Sequence, residues 1–354
     1  MTEGKVTGAN VSVKLDDAFM TAVVTGTPYI QQYPVNSSEP TVQKEINATN
    51  LWKKIVHNAW KSAEPGVLFW DTILKESVPD CYADLGYRTV STNPCGEIPL
   101  CPYDSCRLLA INLYSYVVNP FKPDAYFDFE LFKKHVALAQ RIMDDIIDLE
   151  LEKIERIIEK IDADPENEDV KHTERVLWDK IYKKSGQGRR TGVGITAEGD
   201  MLAALGLRYG TEEATEFSEE VHKTVALNAY RSSVEMAKER GAFEIYDTER
   251  EKNNPFINRL READPELYEE MKKYGRRNIA CLTIAPTGTT SLMTQTTSGI
   301  EPGFLPVYKR RRKVNPNDTN VHIDFVDDTG DAFEEYIVFH PKFVTWLEAK
   351  GYDP

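Results

Sequence analysis

A chain of 354 residues, 41% of them hydrophobic, is long enough to bury a large core in one or two domains, and it has no run of about 18 apolar residues that would read as a membrane span. Its formal net charge of −14 argues against a general nucleic-acid binder, because nothing broad is available to neutralise phosphates. Five cysteines, odd in number and irregularly spaced, are no disulfide framework of the secreted kind, and MTEGKVTGAN lacks the order of a signal peptide; the expectation is a cytoplasmic protein with reduced thiols.

Along the chain the patterns are mixed α/β. Residues 8–15 (GANVSVKL) alternate Val11, Val13 and Leu15 as a core strand would, and Asp16-Asp17 then cap a short helix through Val24. Helical spacing at Leu51, Ile55, Val56 and Trp60 predicts a helix over 50–62. The turn-rich stretch from Val78 to Pro102 leads into RLLAINLYSYVV, a buried-strand candidate. From Phe127 a long helix is expected. Its apolar seam runs Phe132, Val136, Ala139, Met143 and Ile146, then slips by one residue and continues as Ile147, Leu151, Ile154, Ile158 and Ile161. Packing against the protein's own sheet accounts for this seam more simply than a coiled-coil partner. Residues 162–169 (DADPENED) read as an acidic turn. Further helices are expected at 175–184, 197–206, 212–239 and 255–274, and a strand at 278–284 (NIACLTI). The basic run Lys309 to Lys313 reads as a solvated strand edge or turn, with contact to a nucleotide as the alternative.

Three stretches carry chemistry. In STNPCGEIPLCPYDSC, residues 91–106, Cys95 lies between Pro94 and Gly96, with Asn93 and Glu97 two residues to either side. Cys95, Cys101 and Cys106 are spaced six and five apart with no nearby histidine, which does not suit zinc, and no metal site is expected. The six histidines fall in no hydrolase signature. A tight turn with Cys95 as a small plug is the plainer reading, but it leaves Glu97 in an apolar Ile-Pro-Leu context without explanation.

The second stretch, TIAPTGTTSLM from residue 283, places Thr287, Gly288, Thr289, Thr290 and Ser291 between a strand and a helix start. Phosphate-binding turns are built this way, and so are ordinary Thr-capped helices. The third, RRTGVGITAEGD at 189–200, matches G-x-G-x-x-A but follows KKSGQGRR rather than an apolar strand. It reads as a short strand whose glycines permit close packing, not as a dinucleotide site.

Asn93-Pro94-Cys95-Gly96-Glu97, Cys106 eleven residues beyond Cys95, RRTGVGIT, and APTGTTS followed by SGIEP, in this order, resemble the catalytic subunit of ribonucleotide reductases. The Pro-Cys-Gly form is most similar to the adenosylcobalamin-dependent class II enzymes. The resemblance implies an α/β fold, part of a ten-stranded α/β barrel with a central finger loop at about 91–106 and a phosphate loop at about 285–293. Residues 1–354 would form the central part of one reductase barrel domain, incomplete at both ends. It further implies that Cys95 abstracts the 3′ hydrogen of a ribonucleotide as a thiyl radical and that Glu97 takes the 3′ hydroxyl proton. Asn93 would hold the substrate hydroxyls, Cys106 would be one of two reducing thiols, and Thr287 through Ser291 would bind the substrate phosphates.

The cofactor implied is adenosylcobalamin, or alternatively a radical supplied by a separate metal-containing subunit. Implied partners are a ribonucleotide diphosphate or triphosphate, a thioredoxin- or glutaredoxin-like reductant, separately encoded remaining reductase segments and, when complete, a second copy of the chain; neither nucleic acid nor a membrane is expected. The family's partner for Cys106 would lie upstream of GANVSVKL, leaving Cys81 and Cys101 as trial substitutes, although Cys101 reads as structural. A glycyl-radical enzyme on a related barrel and a non-catalytic nucleotide-binding remnant are the other readings.

Overall fold

The computed structural model describes residues 9–35, 37–315 and 317–353, so Gly8, with which the first expected strand begins, lies outside the described residues. The chain divides into two compact units, Met1–Asp104 with Asp247–Pro265, and Ser105–Tyr246 with Glu266–Pro354.

In the first unit β1 (Ser12–Leu15) leads into α1 (Asp17–Thr25). The Asp16 carboxylate accepts the Phe19 N–H at 2.6 Å, which fixes the helix start as the sequence predicts. A hairpin of β2 (Pro28–Tyr33) and β3 (Val42–Asn47) follows, then α2 (Ala48–Ser62), capped by the Asn47 side chain. β4 (Gly66–Phe69) pairs parallel with β1, and α3 (Trp70–Glu76) and a 3₁₀ turn (Pro79–Leu85) complete the run. Leu15, Phe19, Ala22, Ala48 and Ile55 form a small core. Of the expected apolar face of α2 only Ile55 is buried; Val56 and Trp60 are exposed. Two short strands, β5 (Ser91–Thr92) and β6 (Pro99–Leu100), pair antiparallel.

In the second unit the expected strand over RLLAINLYSYVV is broken. β7 (Leu109–Asn112) ends in a 3₁₀ turn (Leu113–Tyr116) before β8 (Val117–Val118), which pairs with β9 (Tyr126–Phe127). An uninterrupted strand would send Leu113 and Tyr116 to opposite faces, whereas the turn buries both. α4 (Phe129–Ala163) is the long expected helix, with Phe132, Val136, Ala139, Met143, Ile147, Ile154 and Ile161 buried. The slip in its seam resolves in favour of Ile147, and Ile146 faces solvent. α4 packs on α5 (Glu168–Gly188), which starts seven residues before the expected helix, and on α7 (Glu212–Arg240). Between them lie β10 (Val193–Thr196) and α6 (Glu198–Ala204).

The expected helix over 255–274 follows α8 (Thr248–Glu251) and is split into α9 (Pro255–Ala263) and α10 (Pro265–Tyr274). Pro265 offers no N–H and drives Asp264 out of the helical region, to φ −149° and ψ 85°. The expected strand at 278–284 is reduced to a parallel bridge between Val193 and Leu282, flanked by bonds from the Thr191 and Val193 N–H groups to the Ala280 and Cys281 carbonyls at 2.9 and 2.8 Å. β10 therefore has β7 on one side and this segment on the other. Its glycines are needed for that approach. A Cβ on Gly194 would lie 2.0 Å from the Thr283 carbonyl oxygen, and one on Gly192 2.3 Å from that of Arg107.

A buried polar network fastens this sheet to α4. Asp144, fully buried, meets the Arg189 guanidinium at 2.8 Å, the Asn278 amide at 2.9 Å and Arg277 at 3.2 Å, and Gln140 donates to Thr191 at 2.9 Å. Burial pushes the Asp144 carboxyl up, but the Arg189 hydrogen bond and charge, with Arg277 and Asn278, outweigh it and hold the pKa below the usual carboxylate range.

The chain continues through α11 (Gly288–Thr294) into a three-stranded antiparallel sheet of β11 (Val307–Lys313), β12 (Phe325–Val326) and β13 (Ala332–Phe339), in the order β11-β13-β12, followed by α12 (Pro341–Ala349). The basic run is edge strand β11, with Lys309 and Arg311 on Glu335, Arg312 on Glu334 and Lys313 on Asp331. It is the solvated edge that its composition predicts. Among the described residues the strands form six sheets of two or three strands and no closed barrel. No helix there is long and apolar enough to cross a membrane.

Candidate active site

The loop over 91–106 is organised around a tight tip. Beyond the β5–β6 ladder the Asn93 N–H donates to the Ile98 carbonyl at 3.2 Å, the Asn93 carboxamide oxygen accepts the Ile98 N–H at 3.0 Å, and the Gly96 N–H returns to the Asn93 carbonyl at 3.1 Å. Gly96 takes φ +86°, a conformation that costs an L side chain about 1–2 kcal/mol. Cys95 is exposed at the apex, Glu97 is half-buried, and Ile98 is buried beneath them. Because Gly96 interrupts the extended backbone, the alternation of a strand does not hold Cys95 and Glu97 on opposite sides. Asn93 does more here than the sequence suggests. Its oxygen closes the tip, while its Nδ2 has no hydrogen-bond partner among the described residues.

Asn93, Cys95 and Glu97 thus share one hairpin tip in the first unit. Cys106 belongs to the second unit, where it is exposed directly ahead of buried Arg107. That guanidinium anchors the segment by bonds to Glu150 at 2.5 Å, the Arg190 carbonyl at 2.8 Å and Ser185 at 2.8 Å. Of the trial partners for Cys106, Cys101 is buried in the first unit with its thiol on Asp104 at 3.6 Å, as a structural cysteine would be, and Cys81 is half-buried in the 3₁₀ turn.

The stretch Thr287 to Ser291 opens α11 in the second unit. Thr287 sits at φ +52°, and its hydroxyl accepts the Gly299 N–H at 2.8 Å and meets the Thr196 hydroxyl at 2.9 Å. Ser291 is buried and donates to the Gly288 carbonyl at 3.0 Å. Two of the expected phosphate-binding hydroxyls therefore hold the turn itself. Gly288, Thr289 and Thr290 are exposed, and their N–H groups belong to the first helical turn, which has no intrahelical acceptors. Thr196 was not legible as a site residue, although it ends the strand beside the one that leads into Thr287. Among the described residues no cluster of three or more His, Cys, Asp or Glu side chains could hold a metal ion.

Residues 3–336 match the family model for the ribonucleotide reductase barrel domain. The chain belongs to the ribonucleotide reductase family. It is 32% identical over 311 residues to the vitamin B12-dependent ribonucleoside-diphosphate reductase of Thermoplasma acidophilum, covering 87% of this chain and 34% of that protein. It is 29% identical over 302 residues to the enzyme of the same name from Mycobacterium tuberculosis, covering 85% and 36%. A ribonucleoside-diphosphate reductase subunit alpha from Chlamydia pneumoniae is 28% identical over 297 residues, covering 77% and 25%. The chain thus spans about a third of the length of the first two curated relatives. Both the hairpin tip at Cys95 and the turn at Thr287–Ser291 fall within the matched residues.

Proposed function

We propose that this chain carries the catalytic finger and substrate-phosphate turn of a ribonucleotide reductase that replaces the 2′ hydroxyl of a ribonucleotide by hydrogen, in a ten-stranded barrel completed by further reductase segments. The observation that carries the reading is the exposed Cys95 at the apex of a hydrogen-bonded hairpin, with Asn93 and Glu97 on the same tip. The family match and the names of the relatives support it.

In this reading a Cys95 thiyl radical takes the 3′ hydrogen atom of the substrate, and the Glu97 carboxylate takes the 3′ hydroxyl proton. The 2′ hydroxyl then leaves as water. Cys106 and a second thiol supply the two electrons and become a disulfide, after which the 3′ hydrogen returns from Cys95. A thioredoxin- or glutaredoxin-like dithiol would reduce that disulfide. Asn93 Nδ2 holds the substrate hydroxyls, and Gly288, Thr289 and Thr290 receive the phosphates.

The cofactor we propose is adenosylcobalamin, in line with the vitamin B12 dependence in the relatives' names. When bound it supplies the radical by homolysis of its carbon–cobalt bond. The exposed Cys95 thiol fits that requirement, since it is open to a reactant approaching the tip.

The test is deoxyribonucleotide formation, measured by chromatography, from this chain supplemented with the remaining reductase segments, a ribonucleotide, a dithiol and adenosylcobalamin. Product that requires cobalamin and disappears in a folded Cys95→Ser protein is expected. Normal turnover by Cys95→Ser would overturn the reading.

A further inference from the structure

The second unit holds a cavity of about 430 Å³, within the range of small-molecule pockets, that no step above uses. Four aromatic side chains line it. Phe343 and Trp346 lie one turn apart on α12 with rings stacked at 5.7 Å and 12°, and Phe121 and Tyr209 line it as well. Three ionisable side chains reach the same space: Asp200, His340 and Lys342.

Asp200 is almost fully buried and wholly engaged. Its Oδ2 accepts the Thr297 N–H at 2.8 Å, its own N–H donates to the Thr297 hydroxyl at 3.2 Å, and its Oδ1 lies 2.7 Å from His340 Nε2. The carboxylate therefore fixes the imidazole and is not left over for a ligand. His340 Nδ1 has no hydrogen-bond partner among the described residues. Lys342 is half-buried, its ammonium 4.5 Å from the centre of the Tyr114 ring, and no carboxylate pairs with it among the described residues. An ammonium with only a ring face for company, beside a carboxylate already committed to an imidazole and to Thr297, leaves Lys342 without a paired anion in this cavity.

We infer that the cavity binds a flat aromatic anion, a heteroaromatic ring bearing a phosphate or carboxylate. The ring packs against the aromatic side chains that line the cavity, Phe343 and Trp346 among them, and the anion is held by Lys342. The aromatic side chains select planarity, and the ammonium selects charge. The inference does not depend on the radical reading of Cys95.

The probe is adenosine 5′-monophosphate, titrated calorimetrically into the 354-residue chain, with adenosine and ribose 5-phosphate as its two halves. Saturable binding is expected, at least about tenfold tighter than for either half, and Lys342→Met should weaken the monophosphate about tenfold while leaving adenosine unchanged. Trp346→Ala, checked for folding by circular dichroism, should weaken the monophosphate and adenosine alike. In a Thr289→Ala/Thr290→Ala protein, altered at the α11 turn assigned above to substrate phosphates, the Lys342-dependent binding should persist. No saturable binding at millimolar concentration, or binding that Lys342→Met leaves intact and the double threonine variant removes, would overturn the inference.

Discussion

The side chain of Asn93 bonds across the hairpin tip to the backbone of Ile98 at 3.0 Å, and the Asn93 N–H bonds back to the Ile98 carbonyl at 3.2 Å. Cys95 is therefore presented by a closed loop whose latch is one of the residues expected to touch the substrate. Asn93→Ala should cost about 0.5–1.5 kcal/mol, the ordinary net worth of such a bond. Asn93→Asp keeps the acceptor and should retain the latch. Denaturant midpoints of the two variants check this, and equal losses in both would show that the acceptor is not what matters.

Gly194 is the tightest point of the sheet. Adding a methyl there places a carbon 2.0 Å from the Thr283 carbonyl, so the backbone of one strand must move. Gly194→Ala should destabilise by about 3 kcal/mol or more, the upper end of overpacking effects. Gly288, by contrast, has open space and no positive φ, so Gly288→Ala should be neutral or stabilise by up to about 1 kcal/mol. Thermal unfolding of both proteins separates a steric requirement from a merely glycine-rich sequence.

Asp144 makes the stability of the second unit sensitive to acid. Its folded pKa lies below the usual value of about 3.9, so the carboxylate's contribution is fully present above that value and is lost as the pH falls through the folded pKa. Asp144→Asn should remove that acid dependence and, by leaving buried Arg189 with Asp148 as its remaining carboxylate at 2.8 Å, cost about 1–3 kcal/mol at neutral pH. Urea unfolding at pH 7 and at successively lower pH tests both halves; a variant with the parent's acid profile would show that other carboxylates dominate.

The cross-strand ion pairs of β11 should matter little. Lys309 and Arg311 are both largely exposed where they meet Glu335. Water and salt screen such pairs. Glu335→Gln is expected to leave the thermal midpoint unchanged at physiological ionic strength, and a clear drop would mean that the sheet depends on them.

Legibility followed periodicity. The seam of α4 could be read over nearly its whole length because a 35-residue helix repeats its pattern many times. The β2–β3 hairpin could not, since PYIQQY and VQKEIN place only Tyr29 and Ile46 against the small core. Gln140 and Asp144 sit within the buried face of α4 and break the apolar seam, and the arginines that answer them, Arg189 and Arg277, lie far along the chain. Two charged or amide residues on an otherwise apolar stripe, with arginine pairs just ahead of two later strands, were the available signal. At the candidate site the sequence showed the tight turn around Gly96, but not that Thr287 and Ser291 turn their hydroxyls inward, because that depends on Gly299 and on the turn's own carbonyl.

The unit that bears the Cys95 hairpin is assembled from two stretches of chain. Buried Tyr82 donates to the buried Glu251 carboxylate at 2.6 Å, across 169 residues, and Arg250 meets Asp84 at 2.6 Å. On the ribosome, residue 104 is made some 160 residues before residue 265, an interval on the order of 10–30 s. Throughout that time the hairpin and its thiol exist on an unfinished body, while residues 105–246 emerge in between. Synthesis therefore sets a fixed order, in which the Cys95 tip receives its full support only after most of the other unit has been translated.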